Sequence, residues 1–292
     1  MKVLVIGVTG MLGYSLFQNL RDYADLDVYG TVRTLVDREH FFIECQDSLI
    51  QGVEGLSIST LRDAIVSVAP DVVINCIGLI KQHDVAAQHL AAISINALLP
   101  HQLAEICNTQ GCRFIHFSTD CVFDGKAGGY VERDKPSAVD LYGCSKALGE
   151  VDYKPHLTLR TSIIGHELAS SVSLVDWFLS QNGPVKGFSS AVFSGLPACV
   201  IARLLAERIL PNNELVGVYH LSSQPVNKYR LLTLVSEMYC KNIYIEESSE
   251  LKIDRSLNSE RLRQRAGLTI HEWPELIIEM YADFEKRYKK FR

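Results

Sequence analysis

The chain begins with an unbroken apolar run, Lys2-Val3-Leu4-Val5-Ile6, and then meets three glycines at Gly7, Gly10 and Gly13. Apolar residues at consecutive positions, ending in glycine, mark a strand buried on both faces. Met11 to Leu20 follows with Leu12, Leu16, Phe17 and Leu20 at helical spacing. A buried strand that turns tightly into an amphipathic helix restricts the chain to layered α/β architectures.

The same alternation continues. Strands are predicted at Val28–Val32, Val72–Ile74, Arg113–Ser118 and Leu157–Ile164. Helices are predicted at Leu61–Val68, stopped by Pro70, at about Ala86–Asn108, and at Leu141–Val151. Residues 1–165 therefore read as a doubly wound parallel (Rossmann) sheet with helices on both faces. Beyond Gly165 the rhythm loosens. Helices at Val172–Ser180 and Ala198–Ile209 flank a loop from Gly183 to Pro197. A short strand, Gly217–Leu221, is expected to return to the main sheet, before helices at Lys228–Tyr239 and Trp273–Tyr288. Residues 166–292 read as a smaller mixed α/β substrate domain.

Composition excludes several function classes. A net charge of −5 and a pI near 6.0 give no nucleic-acid footprint. No Cys-x-x-Cys occurs among the eight cysteines, and His83, His89 and His101 match no metal spacing, so no metal is expected. Thiols set in apolar runs favour a reducing cytoplasm. No run of about 18 apolar residues suggests a membrane span.

The turn Gly7-Val8-Thr9-Gly10-Met11-Leu12-Gly13 sits where a dinucleotide fingerprint must sit, between strand and helix. Gly7 permits the turn, Gly10 a close approach to a pyrophosphate, and Gly13 close helix–strand packing. Thr9, Met11 and Leu12 complete the candidate contacts. The strand end Thr31-Val32-Arg33 lacks the acid that a ribose 2′-hydroxyl would want. Arg33 is either a surface arginine or the partner of a 2′-phosphate, which would favour NADPH over NADH.

Tyr142 and Lys146 are four apart and share one helix face. An ammonium beside a phenol, whose reference pKa is about 10, would lower it toward working pH. Such a phenol can protonate an alkoxide as hydride reaches a carbonyl. Ser118-Thr119-Asp120-Cys121 lies at a strand's carboxyl end, where open α/β sheets bind ligands. Asn96 is either a water-satisfied helix asparagine or a further polar member of the site.

With these motifs the chain resembles the extended short-chain dehydrogenase/reductases, and among them the dTDP-4-dehydrorhamnose reductases. The likeness is strongest in Gly7–Gly13, Asp71–Gly78, Phe117–Gly125 and Asp140–Val151. It implies Tyr142 as general acid and Lys146 as holder of the nicotinamide ribose. Thr119 would hydrogen-bond the substrate oxygen, and Asn96 would support a proton-relay water. Cys76, Ile77 and Gly78 would line the cofactor cleft, and Asp120 and Cys121 would face the substrate, while Lys81 and Arg255 are either substrate-binding contacts to its diphosphate or ordinary surface charges. Cys121 stands where tyrosine is usual, and the segment after Asn75 also departs from the rhamnose enzymes. The resemblance therefore implies another nucleotide-linked 4-keto sugar, such as a UDP-linked acetamido sugar for polysaccharide synthesis. It also admits a homodimer, an epimerase or epimerase-reductase, and a non-catalytic NADP-binding regulatory subunit.

Overall fold

The computed structural model describes residues 1–79 and 89–291. Its strands in chain order are β1 Lys2–Ile6, β2 Asp27–Thr31, β3 Leu49–Ile50, β4 Val72–Asn75, β5 Arg113–Thr119, β6 Leu157–Thr161 and β7 Ile163–Ile164. They continue with β8 Val185–Phe188, β9 Ala191–Phe193, β10 Leu196–Pro197, β11 Gly217–His220, β12 Val226–Asn227, β13 Ile245–Ser248 and β14 Ile253–Asp254. The helices are α1 Met11–Leu20, α2 Ile58–Val68, α3 His89–Gln110, α4 Leu141–Leu148, α5 Leu174–Ser180, α6 Ala198–Leu204, α7 Lys228–Met238, α8 Glu260–Ala266 and α9 Trp273–Arg287.

Seven strands form one parallel sheet in the order β11-β6-β5-β4-β1-β2-β3. Side chains of alternating residues enter two different cores. Val3, Val5, Val72, Ile74, Ile115 and Phe117 join one face, which α1, α6 and α9 cover. Leu4, Ile6, Val73 and Phe114 join the other, packed under α2 and α3. Burial on both faces explains why these strands read as continuous apolar runs. The chain order reverses direction between β1 and β4, and the carboxyl ends of those strands open into the crevice where such sheets bind ligands.

The helix α3 is long and apolar enough to cross a membrane by length and composition. Its residues Leu99, Leu103, Ala104, Ile106 and Cys107 are buried in the second core, while Leu90, Ile93 and Leu98 are exposed. Within α3, Ile93–Leu98 forms a π-helical turn.

Beyond β6 the structure departs from the sequence expectation, and β12, β13, β14 and α8 stand where no element was predicted. The predicted strand 157–164 breaks at Ser162, and β7 leaves the main sheet to pair with β10. The predicted loop 183–197 holds three strands: β8 pairs with β13, β9 with β12 and β14, and β10 with β7. Their partners lie far along the chain, so no local periodicity announces them.

Candidate active site

The glycine turn is shaped by contact. Gly7 adopts φ +85°, and a Cβ on Gly13 would lie 2.1 Å from the Gly7 carbonyl oxygen. Only glycine lets α1 start this close to β1. Gly10 caps α1 without a side-chain hydrogen bond, which leaves the first-turn N–H groups free of a capping partner. A helix start of this kind suits phosphate oxygens.

The second motif is assembled by α4. Asp140 caps the helix by accepting a 2.9 Å hydrogen bond from the Gly143 N–H. A Cβ on Gly143 would fall 2.4 Å from the Cys121 carbonyl oxygen, so glycine there lets α4 press against the loop after β5. That approach sets Tyr142 beside Thr119 in the wall of one cleft. Ser118 faces elsewhere. Its hydroxyl donates to Glu150 at 2.7 Å, and Glu150 also holds Arg160 in a buried bidentate pair, with both contacts at 2.7 Å. This network ties the ends of β5 and β6 to the segment just after α4.

A cleft of about 580 Å³ runs between these motifs and the second half of the chain. Gly10, Met11, Leu12, Cys76, Ile77, Gly78, Thr119, Asp120, Cys121, Tyr142, Lys146 and Arg255 all line it. Gly7, Thr9 and Gly13 shape the turn from behind and are not part of the wall. Arg33 lies just past β2 with an exposed side chain. Lys81 falls outside the described residues. Asn96 is buried behind the wall in the π-helical turn. Its amide oxygen accepts the Leu79 N–H at 2.9 Å, and its amide nitrogen donates to the Leu79 carbonyl at 3.1 Å and the Ser145 hydroxyl at 3.3 Å. The Asn96 side chain thus anchors Leu79 instead of facing the cleft.

The electrostatics reverse one sequence expectation. Burial pushes the Tyr142 phenol well above its ordinary value, Cys121 and Asp120 reinforce the shift, and the Thr119 hydrogen bond opposes it. The Lys146 ammonium is aimed at the Phe117 carbonyl at 2.6 Å, with His116 Nε2 at 3.4 Å. Burial lowers Lys146 to about 8, against the opposing influence of Glu150 and Cys76. In the protein alone, desolvation therefore outweighs the attraction between phenolate and ammonium. Tyr142 stays protonated, and Lys146 titrates near neutrality.

The far wall joins the expected Arg255 to Lys228, which has no signal in local sequence. Lys228 opens α7 directly after the Asn227 cap, and its Nζ lies 3.9 Å from the Phe193 ring centroid. Burial lowers Lys228, while Asp120 and Cys121 act to raise it. Arg255 donates to the Phe123 carbonyl at 2.9 Å and lies 3.6 Å from the Cys121 sulfur. Burial raises the Asp120 carboxyl, and the cations of Lys228 and Arg255 oppose that shift. The arrangement is a phenol, a hydroxyl and a poised lysine on one side, with two cations from distant chain segments on the other.

The glycine cradle, the helix start and the lysine together fit a dinucleotide. The RmlD substrate binding domain family matches residues 1–285. The chain is 27% identical over 262 residues to the methionine adenosyltransferase 2 subunit beta of Danio rerio, spanning 82% of this chain and 74% of that one. It is 26% identical over 234 residues to a dTDP-4-dehydrorhamnose reductase of Aggregatibacter actinomycetemcomitans, spanning 77% of this chain and 74% of that one. A dTDP-4-dehydrorhamnose reductase of Bacillus anthracis, solved in complex with NADP, has the same fold, with a TM-score of 0.80 at 18% identity over 97% of this chain and 99% of that one. The chain belongs to the RmlD substrate binding domain family, is dTDP-4-dehydrorhamnose reductase-like, and so falls among the NAD(P)-dependent oxidoreductases of the extended short-chain dehydrogenase/reductase group.

Proposed function

We propose that this chain uses NADPH to reduce the 4-keto group of a nucleotide-linked 6-deoxy sugar. The observation that carries the reading is the meeting of Thr119, Tyr142 and Lys146 in one cleft floored by the glycine turn. When bound, the nicotinamide supplies the hydride. Tyr142, kept protonated by burial, gives its proton to the developing alkoxide. Thr119 orients the reacting oxygen, and charged Lys146 holds the ribose side of the cleft. Gly10, Met11 and Leu12 take the pyrophosphate at the start of α1, and exposed Arg33 supports a preference for a 2′-phosphate. Residues 1–165 form the cofactor half of this reading and 166–292 the substrate half, which contributes Lys228 and Arg255. Cys121 in place of a tyrosine supports a substrate other than the rhamnose precursor, and a UDP-linked acetamido sugar for polysaccharide synthesis is our choice.

An epimerase needs a second proton-transfer group, and burial leaves the Cys121 thiol at about 12, too high to serve as a base near neutrality. The likeness to a methionine adenosyltransferase subunit supports a second reading, a non-catalytic NADP-binding subunit. The exposed apolar side chains of Leu90, Ile93, Leu98 and Leu148 support a second copy of the chain as partner. The free thiols among all eight cysteines suit the cytoplasm.

Purified protein is mixed with NADPH and a panel of 4-keto sugar nucleotides, and nicotinamide oxidation is followed by absorbance. Turnover is expected with one member. Tyr142→Phe should lower kcat by about 10²–10⁴-fold with NADPH affinity unchanged. Tight NADPH binding without oxidation of any substrate would favour the subunit reading instead.

A further inference from the structure

We propose that Asn75 and His116 form a buried pair behind Lys146 that fixes the imidazole proton on Nε2 and aims that N–H at the lysine, so that His116 controls the charge of Lys146. The inference deepens the reductase reading, because the role of Lys146 in the cleft belongs to that reading.

The argument starts from register. Asn75 on β4 and His116 on β5 are direct partners in the parallel ladder, at 1% and 0% exposure. The Asn75 amide is oriented by the Ile77 N–H, which reaches its Oδ1 at 3.0 Å and requires an oxygen there. Its Nδ2 is therefore the atom that faces His116 Nδ1, at 3.3 Å. An amide nitrogen only donates, so Nδ1 must accept. Burial holds the imidazole neutral, with Lys146 and His101 adding to the effect. A neutral imidazole has one proton, and it is left on Nε2.

That N–H points at Lys146 Nζ across 3.4 Å. An ammonium has no lone pair to accept it, whereas a neutral amine does. The Phe117 carbonyl, at 2.6 Å, accepts from either form of the lysine. The donor on His116 therefore weighs against the charged lysine. Glu150, just beyond the end of α4, and Cys76 after β4 weigh in its favour, and burial opposes it. His101 on α3 acts only on the imidazole. Among these groups His116 is the one whose effect depends on a tautomer, and Asn75 sets that tautomer. His116 is a positioning residue in this scheme.

Lys146 labelled with ¹⁵N at Nζ is titrated by NMR and assigned by its loss in Lys146→Met. In His116→Gln the side chain can turn an amide oxygen to the lysine, and the acidity constant of Lys146 should fall at least about tenfold. Imidazole ¹⁵N spectra of the unaltered protein should show His116 protonated on Nε2. With a sugar-nucleotide substrate, the high-pH limb of kcat/KM should move upward in His116→Gln by the same interval. An unmoved lysine titration in His116→Gln, or an unaltered protein protonated on Nδ1, would overturn the proposal. The tautomer measurement needs no variant and no turnover. Failure of the reductase reading would show instead as unchanged turnover in Tyr142→Phe.

Discussion

At the residue scale the site follows from two spacings and is modified by burial. The four-residue interval of Tyr142 and Lys146 and the Ser-Thr-Asp stretch are readable directly, because a helix puts i and i+4 on one face and a strand end opens to the crevice. Their protonation is not readable, because it depends on desolvation by segments remote in sequence. Lys228 illustrates the same limit. Nothing around Asn227-Lys228-Tyr229 marks a site residue, yet α7 delivers its cation opposite Asp120 and Cys121. Under the proposed reading Lys228→Met should raise the substrate KM by about tenfold or more, the loss of one charge-assisted hydrogen bond. NADPH affinity, measured by fluorescence titration, should stay constant because Lys228 belongs to the substrate half of this reading and lies opposite Asp120 and Cys121 instead of the glycine turn. A parallel loss of NADPH affinity would place Lys228 on the cofactor instead.

At the element scale the first six strands of the main sheet except β3 were foreseeable from apolar runs bounded by glycine or proline, and α2, α3 and α4 from their periodicity. The two-residue β3 is too short to carry a pattern. Strands β8, β9 and β10 were missed for a different reason: each is defined by a partner elsewhere in the chain, not by its own alternation. The helix α4 was expected to reach Val151 and stops at Leu148, before Gly149. The tightest local requirement is at the junction of β1 and α1. Gly13→Ala would place a methyl against backbone, which cannot move aside as a side chain can. Its stability should fall by about 1–3 kcal/mol, the usual cost of overpacking, with weaker NADPH binding besides. Urea denaturation and a cofactor titration check both, and a full-affinity Gly13→Ala protein would remove the turn from the cofactor site.

At the scale of the whole molecule three histidines, His116, His156 and His220, have no exposed surface. Burial is the first cause of each lowered value, with His156 and His220 brought to about 4. The folded chain keeps them neutral, while the unfolded chain binds protons from about pH 6.5 downward. Stability from these groups is therefore complete above pH 6.5 and is lost as pH falls through 4. The loss for His156 and His220 is on the order of 3 kcal/mol each. Urea midpoints should drop steeply between pH 6.5 and 4, and His156→Gln with His220→Gln should flatten that slope. A slope equal to that of the unaltered protein would assign acid sensitivity to other groups.

The sequence by itself determined the alternating strands and helices, the two-faced burial of the sheet, the glycine turn and the pairing of Tyr142 with Lys146. Each of these is a local pattern, set by side-chain periodicity or by steric demands within a few residues. The tertiary structure decided what the cleft does with them. It brought Lys228 and Arg255 across from the second half, turned Asn96 away to hold Leu79, and set Asn75 and His116 behind Lys146. It also raised the phenol and lowered the lysine, because the charge of a buried group depends on everything packed around it and not on its neighbours in the chain.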